Sequence, residues 1–324
     1  MKFYEAGIPI YGIRFPYLRA DEPCLNMIKE LSIDYDNSCS FWWNVDGWEN
    51  GNNGKIIEKM KKQYSPSFPE NDFVLPFFKN SLVRIPASLP DDDLLWDRAG
   101  LNKTTELEDV WKEILRRTLE RGELFVLILH PERYEFLRSP FLGVLKEIKE
   151  QRDQIWVRPL RDISEWWQKR AQAYIECEFA GKRTVKVQIQ RPRELNYVFY
   201  NFHHSRNIKL IGISQSNFVV EEFEVRMPTW PVIGMGPKTS RAFREMLKNL
   251  GFWVDDESGF PEIYSVYFEE DPVMESRYQW LRDFLAKNKN PLIRFNNWPE
   301  NFQSAFAVTG DIDAMTRQDF FSRI

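Results

Sequence analysis

One segment limits the possible folds more than any other: Leu124-Phe125-Val126-Leu127-Ile128-Leu129. Six apolar residues in a row, without polar alternation, need cover on both faces, as in a parallel strand sandwiched between helices. The neighbouring sequence supplies those helices. Glu106–Arg121 is amphipathic, and Phe141–Gln151 and the Trp-rich, charged Asp162–Ala173 read as helices around a short strand at Ile155–Val157. Upstream, Gly12–Tyr17, Ser40–Val45 and Leu82–Pro86 are strand candidates. Asp21–Leu31 carries Leu25, Ile28 and Leu31 at helical spacing, and the polar stretch from Asp46 to Pro69 reads as loop. Alternating strands and helices imply an α/β fold with a parallel sheet or a β/α barrel.

Near residue 174 the pattern changes. Tyr174–Glu178, Thr184–Ile189, Tyr197–Phe199, Lys209–Ile213 and Phe218–Val225 alternate apolar and polar residues between turns, an antiparallel pattern. A strand–helix–strand unit follows at Val232–Gly234, Ser240–Leu250 and Ile263–Phe268, then a helix at Arg277–Lys287. The 324 residues exceed the roughly 100–200 that one core organises, so two cores are expected. The expected division is 1–173, 174–293 as a β-rich α+β domain, and 294–324 returning to the first part.

Several function classes are excluded by composition. A formal charge of −4 lacks the basic face of a nucleic-acid protein. No apolar run approaches the roughly 20 residues of a membrane span. The opening MKFYEAGIPIYG holds no signal-peptide core, which makes the cytoplasm the expected compartment. Cys24, Cys39 and Cys177 have no zinc-site or disulfide spacing. His130, His203 and His204 are the only histidines, which restricts every acid–base or metal scheme.

Three segments carry candidate chemistry: Gly12-Ile13-Arg14-Phe15-Pro16-Tyr17-Leu18-Arg19 with Asp34-Tyr35-Asp36-Asn37-Ser38 after the helix that follows it, Leu127-Ile128-Leu129-His130-Pro131-Glu132, and Thr309-Gly310-Asp311-Ile312-Asp313. Together they resemble the NodB-homology domain of the polysaccharide deacetylases, the fourth carbohydrate esterase family. GIRFPYLR is similar to that family's R-x-P-Y element, LILHPE to its final strand ending in a catalytic His, and VTGDID to its opening strand. PASLPDDDLLWDRAG and the WW-containing helix after Ile155 also resemble one subgroup. The resemblance spans roughly residues 1–172 and 294–324 and implies a partial or permuted distorted β/α barrel. The family's His-x-x-x-His metal element is absent, and the aspartate strand closes the chain instead of opening the domain. Met1–Gly7 reads as the tail of a helix ending at a Gly stop, so the chain is expected to start partway through such a domain.

The resemblance implies a metal-dependent de-N-acetylase acting on a carbohydrate that carries N-acetyl groups. Asp311 would be the general base and Asp313 the ligand of a divalent metal, zinc foremost. Arg14 would orient the base, the Tyr17 backbone N–H would bind the oxyanion, and His130 would protonate the leaving amine. Ile128, Pro16 and Trp43 would border the substrate pocket. One aspartate is short of the three protein ligands that catalytic zinc takes, so this chain alone is expected to be incomplete or inactive, and a complementing N-terminal segment would have to supply the rest. The alternative function is a non-catalytic carbohydrate-binding or scaffold protein derived from the same fold.

Plainer roles fit the same residues. Asp311 and Asp313 suit a turn and N-cap before a helix at Met315–Arg323, and His130 and Arg14 suit a strand end and a structural ion pair. His203 and His204, adjacent on a strand, point to opposite faces and do not share a metal. Gly234–Ser240 opens a helix and fits either a phosphate cradle or a simple N-cap. Asp91–Asp93 reads as a solvated turn.

Overall fold

The computed structural model of the chain describes residues 7–311 except 8, 32, 47, 49–53, 102, 203–207, 214–216 and 256–259. Asp313, the His203–His204 pair, the expected helix at Met315–Arg323 and most of the opening Met1–Gly7 segment lie outside the described residues. The fold is mixed α/β and divides into two units, residues 1–164 with 302–324, and residues 165–301. No helix among the described residues is long and apolar enough to cross a membrane.

In the first unit the strands are short and mostly parallel: β1 (Gly12–Ile13), β2 (Tyr35–Asp36), β3 (Ser40–Trp42), β4 (Phe77–Lys79), β5 (Leu82–Arg84), β6 (Ala87–Leu89), β7 (Leu124–Leu129), β8 (Ile155–Val157) and the late strand β18 (Ser304–Gly310). They form three separate sheets, ordered β1-β2-β5-β4, β3-β6 and β7-β18-β8. The described strands do not close into a barrel. The interruption between β5 and β6 falls at Ile85-Pro86, where proline removes the N–H that a continuous ladder would use.

β7 occupies the residues expected from its apolar run, and Leu124 to Ile128 are buried on both faces. β18 pairs with it in parallel, from Ala305 opposite Leu124 to Gly310 opposite Leu129, and pairs with β8 on its other side. Helices α1 (Glu22–Glu30), α2 (Gly54–Tyr64), α3 (Thr104–Arg121) and α4 (Tyr134–Glu150) accompany these strands, and α5 (Leu160–Arg170) runs across the boundary between the two units in sequence. α3 buries Leu107, Val110, Trp111, Ile114, Leu115 and Thr118, a stripe at three- and four-residue spacing, and stops at Gly122 in the left-handed region, φ 69°.

The helix α2 corrects the expectation of loop from Asp46 to Pro69. Only Ile57 and Met60 of α2 are buried, so its apolar stripe is two residues wide in a mainly charged segment. α4 begins seven residues before the expected start and continues through Pro140. Gly12 has a specific role: a Cβ there would lie 2.1 Å from the Tyr35 ring, so glycine leaves the space over β1 that this ring occupies.

The second unit holds the antiparallel sheet β12-β13-β10-β9, made of β9 (Tyr174–Gly181), β10 (Thr184–Pro192), β12 (Lys209–Ile213) and β13 (Phe218–Val225). β11 (Tyr197–Tyr200) pairs antiparallel with β17 (Leu292–Phe295). The expected strand–helix–strand unit is present as β14 (Trp230–Lys238), α6 (Arg241–Asn249), β15 (Val254–Asp255) and β16 (Tyr264–Glu270), with β14 parallel to both others. Helix α7 (Arg277–Lys287) follows at the expected residues.

Candidate active site

The parallel register of β7 and β18 brings two sequence-distant segments side by side. Thr309 lies opposite Ile128 and Gly310 opposite Leu129, so His130 and Asp311 leave the two strands together. The Asp311 N–H donates to the Leu129 carbonyl at 2.9 Å, which extends the pairing to that point.

Arg14, immediately after β1, reaches the same end of β18. Its Nη2 donates to Thr309 Oγ1 at 2.8 Å and to Asn37 Oδ1 at 2.8 Å, and Nε donates to Asn37 Oδ1 at 3.0 Å. Its Nη1 stands 3.6 Å from Asp311 Oδ2. Asn37 is fixed in turn by donating to the Ile85 carbonyl at 2.7 Å. Burial lowers the Arg14 pKa from its ordinary value, and the Asp311 carboxylate counters that effect. The Asp311 side chain is 45% exposed while that of Arg14 is 13% exposed, so a held guanidinium faces a carboxylate open to water.

His130 is held from the other side. Its ring Nδ1 lies 2.7 Å from Asp92 Oδ1, and its backbone N–H donates to Asp92 Oδ2 at 2.9 Å. One carboxylate thus fixes both the main chain and the ring. Burial works against the imidazolium, but the hydrogen bond and charge of Asp92, with Asp91 behind it, outweigh that cost and raise the His130 pKa to about 9. Asp91 is pushed up to about 7 by burial and by the neighbouring Asp92.

Here the solvated-turn reading of Asp91–Asp93 is corrected: all three are buried. They lie buried because each has work inside. Asp91 Oδ1 accepts from the Leu94 N–H at 2.9 Å and starts the Asp93–Arg98 turn, Asp92 binds His130, and Asp93 pairs with Arg133 at 3.0 Å and Arg98 at 3.1 Å. The signal for this in the sequence was Leu94-Leu95-Trp96 directly after the acids, since apolar residues there draw the turn inward. Asn37 and Thr309 stand within segments singled out in the sequence, but nothing there marked them as the partners of Arg14.

Pro16, Tyr17 and Leu18 form a short 3-10 turn after Arg14, with Tyr17 in the left-handed region at φ 57°, ψ 22°. The Tyr17 side chain is exposed and meets Tyr64 edge-on at 6.2 Å. Ile128 and Trp43 lie in the hydrophobic core, 2% and 1% exposed, and the Arg121 guanidinium sits 5.9 Å from the Trp43 ring. In the second unit, Ser240 is the N-cap of α6, accepting from the Phe243 N–H at 3.1 Å, and donates its own N–H to Asp271 at 2.7 Å. A carboxylate at that helix start repels phosphate, so the N-cap role stands there.

Among the described residues no group of three or more His, Cys, Asp or Glu is arranged to hold a metal ion. Asp311 faces Arg14, and Asp92 is committed to His130. This donor set by itself does not fit zinc, which takes three protein ligands. No family model, curated protein or solved structure matches the chain.

Proposed function

We propose that the chain is an amide hydrolase of the polysaccharide deacetylase type, removing N-acetyl groups from an amino-sugar polymer on a distorted, partial β/α barrel. The observation that carries this reading is the meeting of Arg14, Asp311 and the Asp92–His130 pair, from four separate segments, at one end of the β7–β18 pair.

The roles follow from the electrostatics. Asp311, paired with Arg14 and open to water, takes the proton of an attacking water. The water oxygen bonds to the amide carbon, and the Tyr17 N–H, in its left-handed turn, is a donor for the resulting oxyanion. His130, protonated at neutral pH, gives its proton to the amine nitrogen as the C–N bond breaks, leaving acetate and a free amine. No step is routed through a metal. A divalent ion enters the proposal only with Asp313 and with ligands from a complementing N-terminal segment.

The test is acetate release from an N-acetylglucosamine oligomer, with and without added zinc, by this chain and by an N-terminally extended form. Release is expected from the extended, zinc-supplied form, with little or none from this chain alone, and His130→Ala or Asp311→Ala should lower it by about 10²–10⁴-fold. A folded, metal-supplied extended form that releases no acetate overturns the reading.

A further inference from the structure

The second unit contains a cavity of about 760 Å³ between α7, β16 and the connection joining them. That volume lies within the range of about 300–1,000 Å³ typical of small-molecule sites. Its apolar wall is aromatic. Trp280 and Phe284, one turn apart on α7, stack with centroids 5.3 Å apart and planes within 5°, and Phe268 of β16 packs 6.1 Å from the Trp280 ring. Tyr267 of β16 also lines the space.

Planar polar groups stand on the same helix, one residue before each of the stacked rings. Gln279 Nε2 donates to Asp283 Oδ1 at 2.8 Å, an arrangement that holds an amide and a carboxylate in fixed orientation while both residues remain exposed. On the strand side, Asn290 is fixed by donating to the Ser265 carbonyl at 2.7 Å. The charged lining groups are Glu275, Asp283 and Lys287, so the cavity has little net charge.

We infer that this cavity binds a neutral oligosaccharide. A pyranose ring presents an apolar C–H face and a rim of hydroxyls that both donate and accept. Aromatic rings beside fixed amide and carboxylate groups match both parts. A polyanion would meet two carboxylates against one ammonium, and a purely apolar ligand would strand Gln279 and Asp283. The choice of an amino-sugar polymer as the oligosaccharide rests on the proposed function, and places a holding site for that polymer on a different unit from the candidate active site.

The experiment is isothermal titration of the full chain with N-acetylglucosamine tetramer, and with maltotetraose as a second neutral sugar. Saturable binding is expected, weakened at least tenfold by Trp280→Ala and by Gln279→Ala. Trp280 also packs on Phe243, so Gln279→Ala and Asp283→Ala, both at exposed positions, carry the test if Trp280→Ala does not fold. Absence of binding to either sugar, or binding unchanged in Gln279→Ala and Asp283→Ala, overturns the inference. Binding that depends on Gln279, with no acetate released by the metal-supplied extended form, leaves the cavity standing while the hydrolase reading falls. Acetate release with no effect of these variants on binding removes the cavity alone.

Discussion

Asp92 accepts from the His130 main chain and faces the His130 ring, and this double contact decides how the imidazole titrates. With Asp92→Asn, only Asp91 is left to oppose burial, and the His130 pKa should fall from about 9 toward or below the ordinary 6.5, read from the ring protons by NMR titration. The sign for stability follows from the same shift. A folded pKa raised above the unfolded one gives stabilisation that is complete below about pH 6.5 and is lost as pH rises through about 9. The melting temperature of the native chain should therefore decline relative to His130→Gln across that interval. Arg14 acts by shape as well as charge, since its Nε and Nη2 grip Asn37 and Thr309 together. Arg14→Lys keeps the charge and loses the fork, and acetate release should drop on the order of 10²-fold through misplacement of Asp311. His130 and Arg14 were readable as candidates from short motifs. Asp92 was not, because Leu94-Leu95-Trp96 signals an inward turn without saying which of the three acids meets His130.

At the level of elements, legibility tracked how many buried positions each segment contributes. β7 and α3 bury nearly every apolar residue they have, so run length and spacing revealed them. α2 buries two residues, and its signal sank beneath the lysines around it. Strands of two or three residues, such as β1 and β2, are held by what surrounds them more than by their own pattern. Dense packing makes β7 intolerant of loss: Leu127→Ala, at a fully buried site, should cost about 2–5 kcal/mol in denaturant unfolding. Gly251, at φ 91°, has no room for a side chain, since a Cβ would lie 2.1 Å from the Phe295 carbonyl oxygen. Gly251→Ala should destabilise the second unit by about 1–3 kcal/mol through overpacking, with left-handed strain added.

At the level of the whole molecule, the first unit is discontinuous and the second is contiguous. β18 is the middle strand of its sheet, bonded to β7 on one side and β8 on the other. Ending the chain at Asn301 should leave both flanking strands without a neighbour. The first unit should then lose its amide hydrogen-exchange protection along Leu124–Leu129. The return of 302–311 was suggested by its motif, but its central position was not, because pairing order is a property of the assembled sheet.

That central position also sets an order of assembly on the ribosome. Residues 165–301 form one uninterrupted stretch made before β18, whereas β7 waits for a partner made some 180 residues later. Until Ser304–Gly310 leaves the exit tunnel, the nascent chain carries the strand Leu-Phe-Val-Leu-Ile-Leu without its mate. Chaperone capture of stalled chains is accordingly expected to centre on that hexapeptide.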